Sequence, residues 1–241
     1  MDNVTAVVLA GGKGVRLKPY TAVLPKALLP VGDLPILEIV LRQLKDQGFR
    51  KIVLSVNHMA KLIETFFSDG SDLGLDISYC REKEPLGTAG SISLIDDLTD
   101  TFLVMNGDLL TTLDYADIVR AHLESGATAT IGAFPRVVAI DFGVLELNDN
   151  GDLCKYREKP LIEYVVSMGV NVLDRLACEF ISTGENLDMP TLMMRLRDAG
   201  QRVATFQSDC EWLDIGRRDD YEAAVIEFEN SRDKYLKGRG S

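Results

Sequence analysis

Histidine and tryptophan are the scarcest residues here, with two of the first and one of the second in 241 positions. His58 and His122 lie far apart in the chain, which leaves no material for a histidine-rich zinc site. Cysteine is nearly as sparse. Cys80, Cys154, Cys178 and Cys210 form no C-x-x-C pair, and they read as small hydrophobes in a reducing cytoplasm rather than as a disulfide framework. Long apolar runs are missing as well. The longest, Ala6 to Ala10, falls far short of the ~20 residues that cross a bilayer. No charged start and small-residue cleavage site flank it, so a cytoplasmic protein with neither a secretion signal nor a membrane partner is expected. Positive charge is in deficit, 26 Lys and Arg against 37 Asp and Glu, a formal net charge of −11. That balance excludes a long polyanion such as DNA or RNA as a partner. Small anions remain admissible, because a few cations can dominate one cleft.

What is present is ordinary for a folded globular chain: 46% hydrophobic and 26% charged residues. No repeat and no Pro/Gly/Ser-rich linker divides it, so residues 1–241 are expected to form a single domain. The polar tail Lys237–Ser241 is expected to fray. The first half alternates strand and helix patterns. Val4–Leu9 is a β-branched apolar run suited to a strand buried on both faces. Pro35–Gln47 has helical apolar spacing and stops at Gly48; Lys51–Val56 reads as a strand and Ala60–Phe67 as a helix. Leu75–Tyr79 (strand), Thr88–Leu98 (helix), Phe102–Met105 (strand) and Asp114–Glu124 (helix) continue the alternation. Such spacing specifies parallel strands with right-handed crossovers: an α/β, doubly wound, Rossmann-like sheet, mixed but mainly parallel. After Ala127 the pattern changes to strand-like segments at Thr128–Phe134, Gly143–Leu147, Leu153–Arg157 and Tyr164–Val172, joined by short turns. They predict an antiparallel extension that shapes the second half of a cleft. Helices return at Pro190–Ala199 and Arg218–Asn230, with strands near Arg202–Gln207 and Glu211–Leu213.

The first strand runs into Leu9-Ala10-Gly11-Gly12-Lys13-Gly14-Val15-Arg16-Leu17. In a parallel sheet the carboxyl ends of strands face the ligand crevice, where glycines let amides approach phosphate oxygens. The dinucleotide pattern G-x-G-x-x-G fails at Leu17, and no Gly-Lys-Ser/Thr completes a Walker loop. Arg16 and Lys26, ten residues apart, flank this loop; together they make a triphosphate clamp, Arg16 forking two oxygens and Lys26 acting as a point charge.

From Gly11 the sequence reads G-G-x-G-x-R-L-x-P-x-T and then, from Pro25, P-K-x-L-x-P-V. This opening resembles that of the sugar-1-phosphate nucleotidyltransferases, the nucleotide-sugar pyrophosphorylases, and the resemblance continues along most of the chain. It implies that residues 1–126 mainly bind nucleotide and residues 127–241 mainly bind sugar. In that family the Leu-Gly-Thr-Ala segment, here within Pro85-Leu86-Gly87-Thr88-Ala89, holds the base together with the loop around Leu9 and Ala10. Read from its position alone, Thr88 would cap the helix that follows.

Asn106-Gly107-Asp108 ends a central strand, and Asp108 matches the family's metal aspartate. An Asp there could equally cap a turn, but beside a phosphate loop it suits Mg²⁺, which takes one or two carboxylates plus phosphate oxygens and water. Trp212-Leu213-Asp214-Ile215-Gly216 resembles the W-x-D-I/V-G element that supplies the second metal-facing carboxylate, Asp214; Trp212 itself reads as packing. Arg157-Glu158-Lys159-Pro160 matches the E-K-P element, which assigns Lys159 to the sugar phosphate and Glu158 to sugar hydroxyls. A similar string, Arg81–Pro85, occurs earlier, and position decides between them. Gly143 would let the sugar lie against the backbone. Ser167 and Asn171 stand where relatives more often carry Asn and Tyr, and the resemblance implies that Asn171 joins Gly143, Glu158 and Lys159 among the sugar-phosphate contacts.

The resemblance thus implies an Mg²⁺-dependent enzyme that takes a nucleoside triphosphate and a sugar-1-phosphate. Arg16, Lys26 and Asp108 would be its catalytic groups. Leu9, Ala10, Gly11, Gly12, Gly14, Arg16, Lys26, Pro85, Gly87, Thr88 and Gly107 would be its nucleotide contacts. Pro135-Arg136 and Asp141–Leu145 resemble the mannose-1-phosphate guanylyltransferase-like branch, which favours GTP with mannose-1-phosphate or a related hexose or heptose phosphate. UTP or dTTP with glucose-1-phosphate is the alternative. Two other classes are weighed against these. A non-catalytic regulatory paralogue should have lost a phosphate or metal residue, and a cytidylyltransferase of alcohol phosphates would not need Glu158, Lys159 and Gly143. No β-helix repeat follows the last helix, so no second activity is expected. A homo-oligomer is permitted but not decided by these residues.

Overall fold

The computed structural model describes residues 1–236; the tail expectation for 237–241 lies outside the described residues. Thirteen strands and six α-helices occur among them. The first half contributes β1 (Thr5–Leu9), β2 (Pro30–Val31), β3 (Leu34–Pro35), α1 (Ile36–Asp46), β4 (Lys51–Val56), α2 (Ala60–Phe67), β5 (Asp76–Arg81), α3 (Gly87–Gly90), β6 (Thr101–Asn106), β7 (Leu109–Thr111) and α4 (Tyr115–Ser125). The second half adds β8 (Ala129–Ala139), β9 (Val144–Leu147), β10 (Leu153–Arg157), β11 (Leu161–Asp174), α5 (Met189–Asp198), β12 (Val203–Gln207), β13 (Trp212–Asp214) and α6 (Arg218–Tyr235).

Seven strands form the central sheet in the order β12-β8-β11-β6-β1-β4-β5. β11 alone runs against its neighbours β6 and β8, and every other pairing is parallel. The expected mixed, mainly parallel sheet is therefore present. Helices cover both faces. α1, α2 and α4 bury Leu37, Leu41, Ile63 and Ile118 with Ala6, Val8 and Leu103 on one side. α3 and α5 bury Ala89, Leu192 and Leu196 with Val7, Phe102 and Val104 on the other. A third cluster, built on Leu29, Ile39, Leu110 and Phe228, seats α6 beneath β2 and β7. β1 is buried on both faces, as its unbroken apolar run requires. No helix among the described residues is long and apolar enough to cross a membrane.

Two expectations need correction. The predicted helix Thr88–Leu98 is only the four-residue α3 followed by a 3₁₀ turn, Ser91–Leu94. Gly87 sits at φ +74°, and a Cβ on Gly90 would lie 2.1 Å from the Glu185 carbonyl oxygen. The segment is thus pinned against the 185–188 backbone, where Ala89 and Gly90 amides donate to the Leu187 carbonyl. That tertiary docking overrides the helical pattern. Thr88 does not cap its own helix either; its Oγ1 accepts from the Met189 amide at the start of α5, at 2.7 Å. The strand-like segments after Ala127 prove longer than expected. β8 begins in the central sheet and runs out into a two-stranded arm, and β11 begins in that arm and runs back into the sheet beside β6, with β9 and β10 forming a separate hairpin between them.

Candidate active site

Strand order reverses around β1, with β4 and β5 on one side and β6 on the other. A doubly wound sheet opens a crevice at the carboxyl ends of the strands at such a point. The two strand exits are tied together: the Gly107 amide donates to the Leu9 carbonyl at 2.9 Å, and the Ala10 amide donates to the Ser55 carbonyl at 2.8 Å. Above them lies a cavity of about 300 Å³. Its walls include Leu9, Ala10, Gly11, Gly12, Lys26, Pro85, Gly87, Thr88, Gly107 and Asp108.

The loop after β1 owes its shape to Gly14. This residue has φ +57°, and a Cβ there would meet Thr21 Cγ2 at 2.7 Å, while Thr21 Oγ1 donates to the Gly14 carbonyl at 2.8 Å. The loop turns back so that Lys26 reaches Asp108, with which it forms an ion pair; their side chains are 13% and 22% exposed. Arg16 lies just outside, in a second hollow lined by Phe134, Arg136, Trp212, Asp214, Gly216 and Arg217.

The two hollows adjoin. β13 pairs with β7 so that Asp214 stands opposite Leu109, and the Ile215 amide donates to the Asp108 carbonyl at 3.2 Å. Space beside Gly216 is bounded by both the Asp214 carboxylate and the Arg16 guanidinium. Crowding by the surrounding protein, and then the nearby Asp108 charge, push the Asp214 pKa up; Lys26 and Arg16 pull in the other direction. Trp212 packs as expected, its ring 5.6 Å from that of Phe134 and its indole N–H donating to the Met168 carbonyl at 3.0 Å.

The sugar-side residues are not gathered with these. Glu158 and Lys159 are exposed on the arm, Lys159 with φ +42° and Glu158 accepting from the Tyr156 hydroxyl at 3.1 Å. Gly143 is packed against Tyr156, whose hydroxyl would be 2.4 Å from a Cβ there, so the ring occupies the space expected for a sugar. Asn171 is buried in the sheet between Val104 and Ile131 and lines neither hollow.

Four polar wall residues are missing from the expected site residues: Ser55, Asn57, Glu82 and Asn106. Glu82 accepts from the Ser55 hydroxyl at 2.8 Å and from the Leu86 amide at 2.9 Å, which fixes the start of the Leu86–Ala89 segment. It belongs to the Arg81–Pro85 string that position had set aside. All four stand at or just beyond the carboxyl ends of β4, β5 and β6, the place a doubly wound sheet assigns to its ligand, and that rule is the signal that finds them.

The donor set fits a hard divalent cation. Asp108 and Asp214 offer two carboxylates close enough to repel, and no cluster of three Asp, Glu, His or Cys occurs among the described residues. Two carboxylates completed by phosphate and water oxygens are a magnesium arrangement; a zinc or calcium cage would need more protein ligands.

A doubly wound sheet with a glycine loop, two cations and two facing carboxylates at its switch point defines a phosphate-handling α/β protein. More narrowly, the chain belongs to the nucleotidyl transferase family, whose profile matches residues 5–231. It is 34% identical over 240 residues to a UTP–glucose-1-phosphate uridylyltransferase of Synechocystis, covering 91% of this chain and 62% of that protein. It is 30% identical over 226 residues to a mannose-1-phosphate guanylyltransferase of Mycobacterium tuberculosis, covering 91% and 63% respectively. The chain thus spans about three-fifths of the length of these relatives. Its fold is that of a putative glucose-1-phosphate thymidylyltransferase from Bacillus anthracis, with a TM-score of 0.73 at 21% identity over 92% of this chain and 94% of that one.

Proposed function

We propose that the protein transfers a nucleotidyl group from a nucleoside triphosphate to a sugar-1-phosphate, releasing pyrophosphate and an NDP-sugar. The single observation that carries this reading is the joined pair of hollows, where glycine amides, Lys26 and Asp108 meet Arg16 and Asp214. A sugar-1-phosphate is already an anionic oxygen nucleophile, so no general base is required and the scarcity of histidine is no obstacle. The barrier is charge: two anions ~4 Å apart repel by about 4 kcal/mol at an effective dielectric of 20.

The loop amides of residues 11–14 and the base-side segment 85–88 hold the triphosphate and its base. Lys26 and Arg16 neutralise phosphate oxygens and keep the α-phosphorus open to in-line attack. Asp108 and Asp214 would hold Mg²⁺, which supplies further charge neutralisation at the transferred phosphate. Lys159 and Glu158, carried between β10 and β11, are assigned to the sugar-phosphate side, whereas Asn171, buried in the sheet, and Gly143, packed against Tyr156, are left out of it.

For the substrates we favour GTP with mannose-1-phosphate or a related hexose or heptose phosphate. The likeness to the M. tuberculosis guanylyltransferase supports this, together with the Asp141–Leu145 segment. UTP with glucose-1-phosphate is the second reading, carried by the Synechocystis relative. A matrix of nucleoside triphosphates against sugar-1-phosphates, followed by pyrophosphate release, decides between them. Lys26→Ala and Asp108→Asn should each lose two or more orders of magnitude with the preferred pair. Near-normal rates in both variants, or no release with any pair, overturn the assignment.

A further inference from the structure

The hollow beside Asp214 differs from the cavity it adjoins in where its walls come from. Every wall residue of the cavity lies between residues 9 and 108, whereas the hollow takes all of its walls but Arg16 from residues 134–220. It encloses about 370 Å³, which falls among small-molecule sites of roughly 300–1,000 Å³. Phe134 and Trp212 give it an aromatic side, and Arg16, Arg136 and Arg217 give it a cationic one. None of these three guanidinium groups has a hydrogen bond or an ion pair among the described residues, although every other described arginine has at least one. The carboxylates of the same hollow are otherwise placed. Asp220 accepts from the Arg217 amide at 3.1 Å, and Asp214 stands beside Asp108. Cations gathered without partners repel one another, and a cleft lined by one sign of charge draws in the other. A guanidinium fork matches the paired oxygens of a carboxylate or a phosphate.

We propose that this hollow takes a second anionic group, a carboxylate or a phosphate borne by the sugar in addition to its 1-phosphate, with Arg136 and Arg217 as its binding residues. The inference rests on the transfer reaction proposed above and narrows its acceptor. In that reaction the triphosphate lies on the first-half loop of residues 11–14 and on Lys26, and Arg16 with the two aspartates stands where the substrates meet. Arg136 and Arg217 line the second hollow only, and both stand on second-half elements: Arg136 on the outgoing part of β8, past its pairing with β12, and Arg217 just ahead of α6. A sugar whose one anion is its 1-phosphate, served by Arg16 and Lys159, leaves both of these guanidinium groups unmatched. An acceptor with a second anion matches them and sets its ring against Phe134 and Trp212, whose electron-rich faces suit the C–H side of a sugar.

Trp212, the one tryptophan of the chain, lines the hollow and reports its occupancy by fluorescence. The wild-type protein is titrated, in Mg²⁺, with the manno and gluco forms of three compounds: the hexose-1-phosphate, the hexuronic acid 1-phosphate and the hexose-1,6-bisphosphate. In at least one series the dissociation constant should be about tenfold or more lower for a doubly anionic compound than for the hexose-1-phosphate, equivalent to ~1.4 kcal/mol. Whichever binds tighter, uronic acid or bisphosphate, identifies the group. Arg136→Gln and Arg217→Gln should each erase most of that preference, and Arg217→Lys, which keeps the charge but not the fork, should restore part of it. In pyrophosphate-release assays the Gln variants should raise KM for the doubly anionic acceptor more than KM for the triphosphate. Equal affinities within both series overturn the proposal, as does a preference that survives both substitutions. A rise in KM confined to the triphosphate also overturns it, by giving these arginines to the departing pyrophosphate. Fluorescence reads binding alone, so absence of pyrophosphate release would count against the transfer reaction and leave the preference measurable.

Discussion

Lys26 and Asp108 form the one ion pair inside the cavity at the strand ends among the described residues, and its energetics can be separated from its chemistry. Breaking a fully buried pair by removing one partner costs about 3–5 kcal/mol, whereas exposed pairs are worth about 0–1 kcal/mol. With side chains 13% and 22% exposed, this pair falls between, and Lys26→Ala should destabilise the protein by about 1–3 kcal/mol. The loss has a structural source beyond the missing bond: the Lys26 charge no longer offsets the repulsion between Asp108 and Asp214, which Arg16 alone of the two cations then opposes. For a chain of this size each kcal/mol lowers Tm by roughly 2–4 °C. Asp108→Asn removes that repulsion along with the pair, so the double variant Lys26→Ala/Asp108→Asn should recover most of the stability lost by Lys26→Ala. The coupling energy from urea denaturation midpoints should be about 1–2 kcal/mol. Pyrophosphate release should show no such recovery, since each single change and the double all remove charge needed at the phosphates, with losses of about 10²–10³-fold or more. Additive stabilities within about 0.3 kcal/mol would refute the coupling. Recovery of activity in the double variant would reduce the pair to a structural strut.

Asp214 titrates above the ordinary carboxylate value of 3.8, so its ionisation is harder in the folded protein than in the unfolded chain. The folded state then carries no penalty below that pH and a growing one as pH rises through the raised value. Asp214→Asn should therefore become more stable than wild type progressively from about pH 4 upward, seen as a widening Tm gap in thermal scans, while losing activity. A constant gap at every pH would show that the charge is not the cause. Gly14→Ala forces an alanine to φ +57° with its Cβ 2.7 Å from Thr21 Cγ2, a cost of about 1–3 kcal/mol. Because the strain sits in the loop proposed above to hold the triphosphate, KM for the triphosphate should rise several-fold; an unchanged KM would detach that loop from nucleotide binding.

Much of this architecture is legible in the residues because period and burial agree. Lys51–Val56 and Ala60–Phe67 occur as read, since each buries the face its pattern marks. The helix expected at Thr88–Leu98 fails for a reason no local pattern holds: a glycine-rich segment is pulled onto the carbonyls of residues 185 and 187, nearly a hundred positions away. The structure brings Arg16, Lys26, Asp108 and Asp214 near one another, because Asp108 and Asp214 follow paired strands and the glycine loop folds the two cations back toward them. Gly143 and Lys159 stand apart from these, on the excursion between β8 and β11, which motif spacing alone does not locate relative to the sheet. Glu82 was passed over for the opposite reason, an unremarkable sequence at a strand end that topology makes important.

On the proposed function, the same charges couple the binding of the two ligands. Around the joined hollows the protein sets Lys26 and Arg16 against Asp108 and Asp214, a local balance near zero inside a chain of net charge −11. A triphosphate alone meets two carboxylates, and a divalent cation alone meets a lysine already seated on Asp108; each is opposed by charge that the other would neutralise. Cation and triphosphate should therefore bind with positive coupling. Titration calorimetry with Mg²⁺ alone should show weak binding, tightened by roughly tenfold or more when a non-hydrolysable triphosphate is present, which corresponds to about 1.4 kcal/mol. Lys26→Ala should strengthen binding of the metal alone while weakening that of the triphosphate, a reversal that mere loss of structure cannot produce. Equal metal affinity with and without triphosphate would mean that Asp108 and Asp214 do not share the hollow with the phosphates.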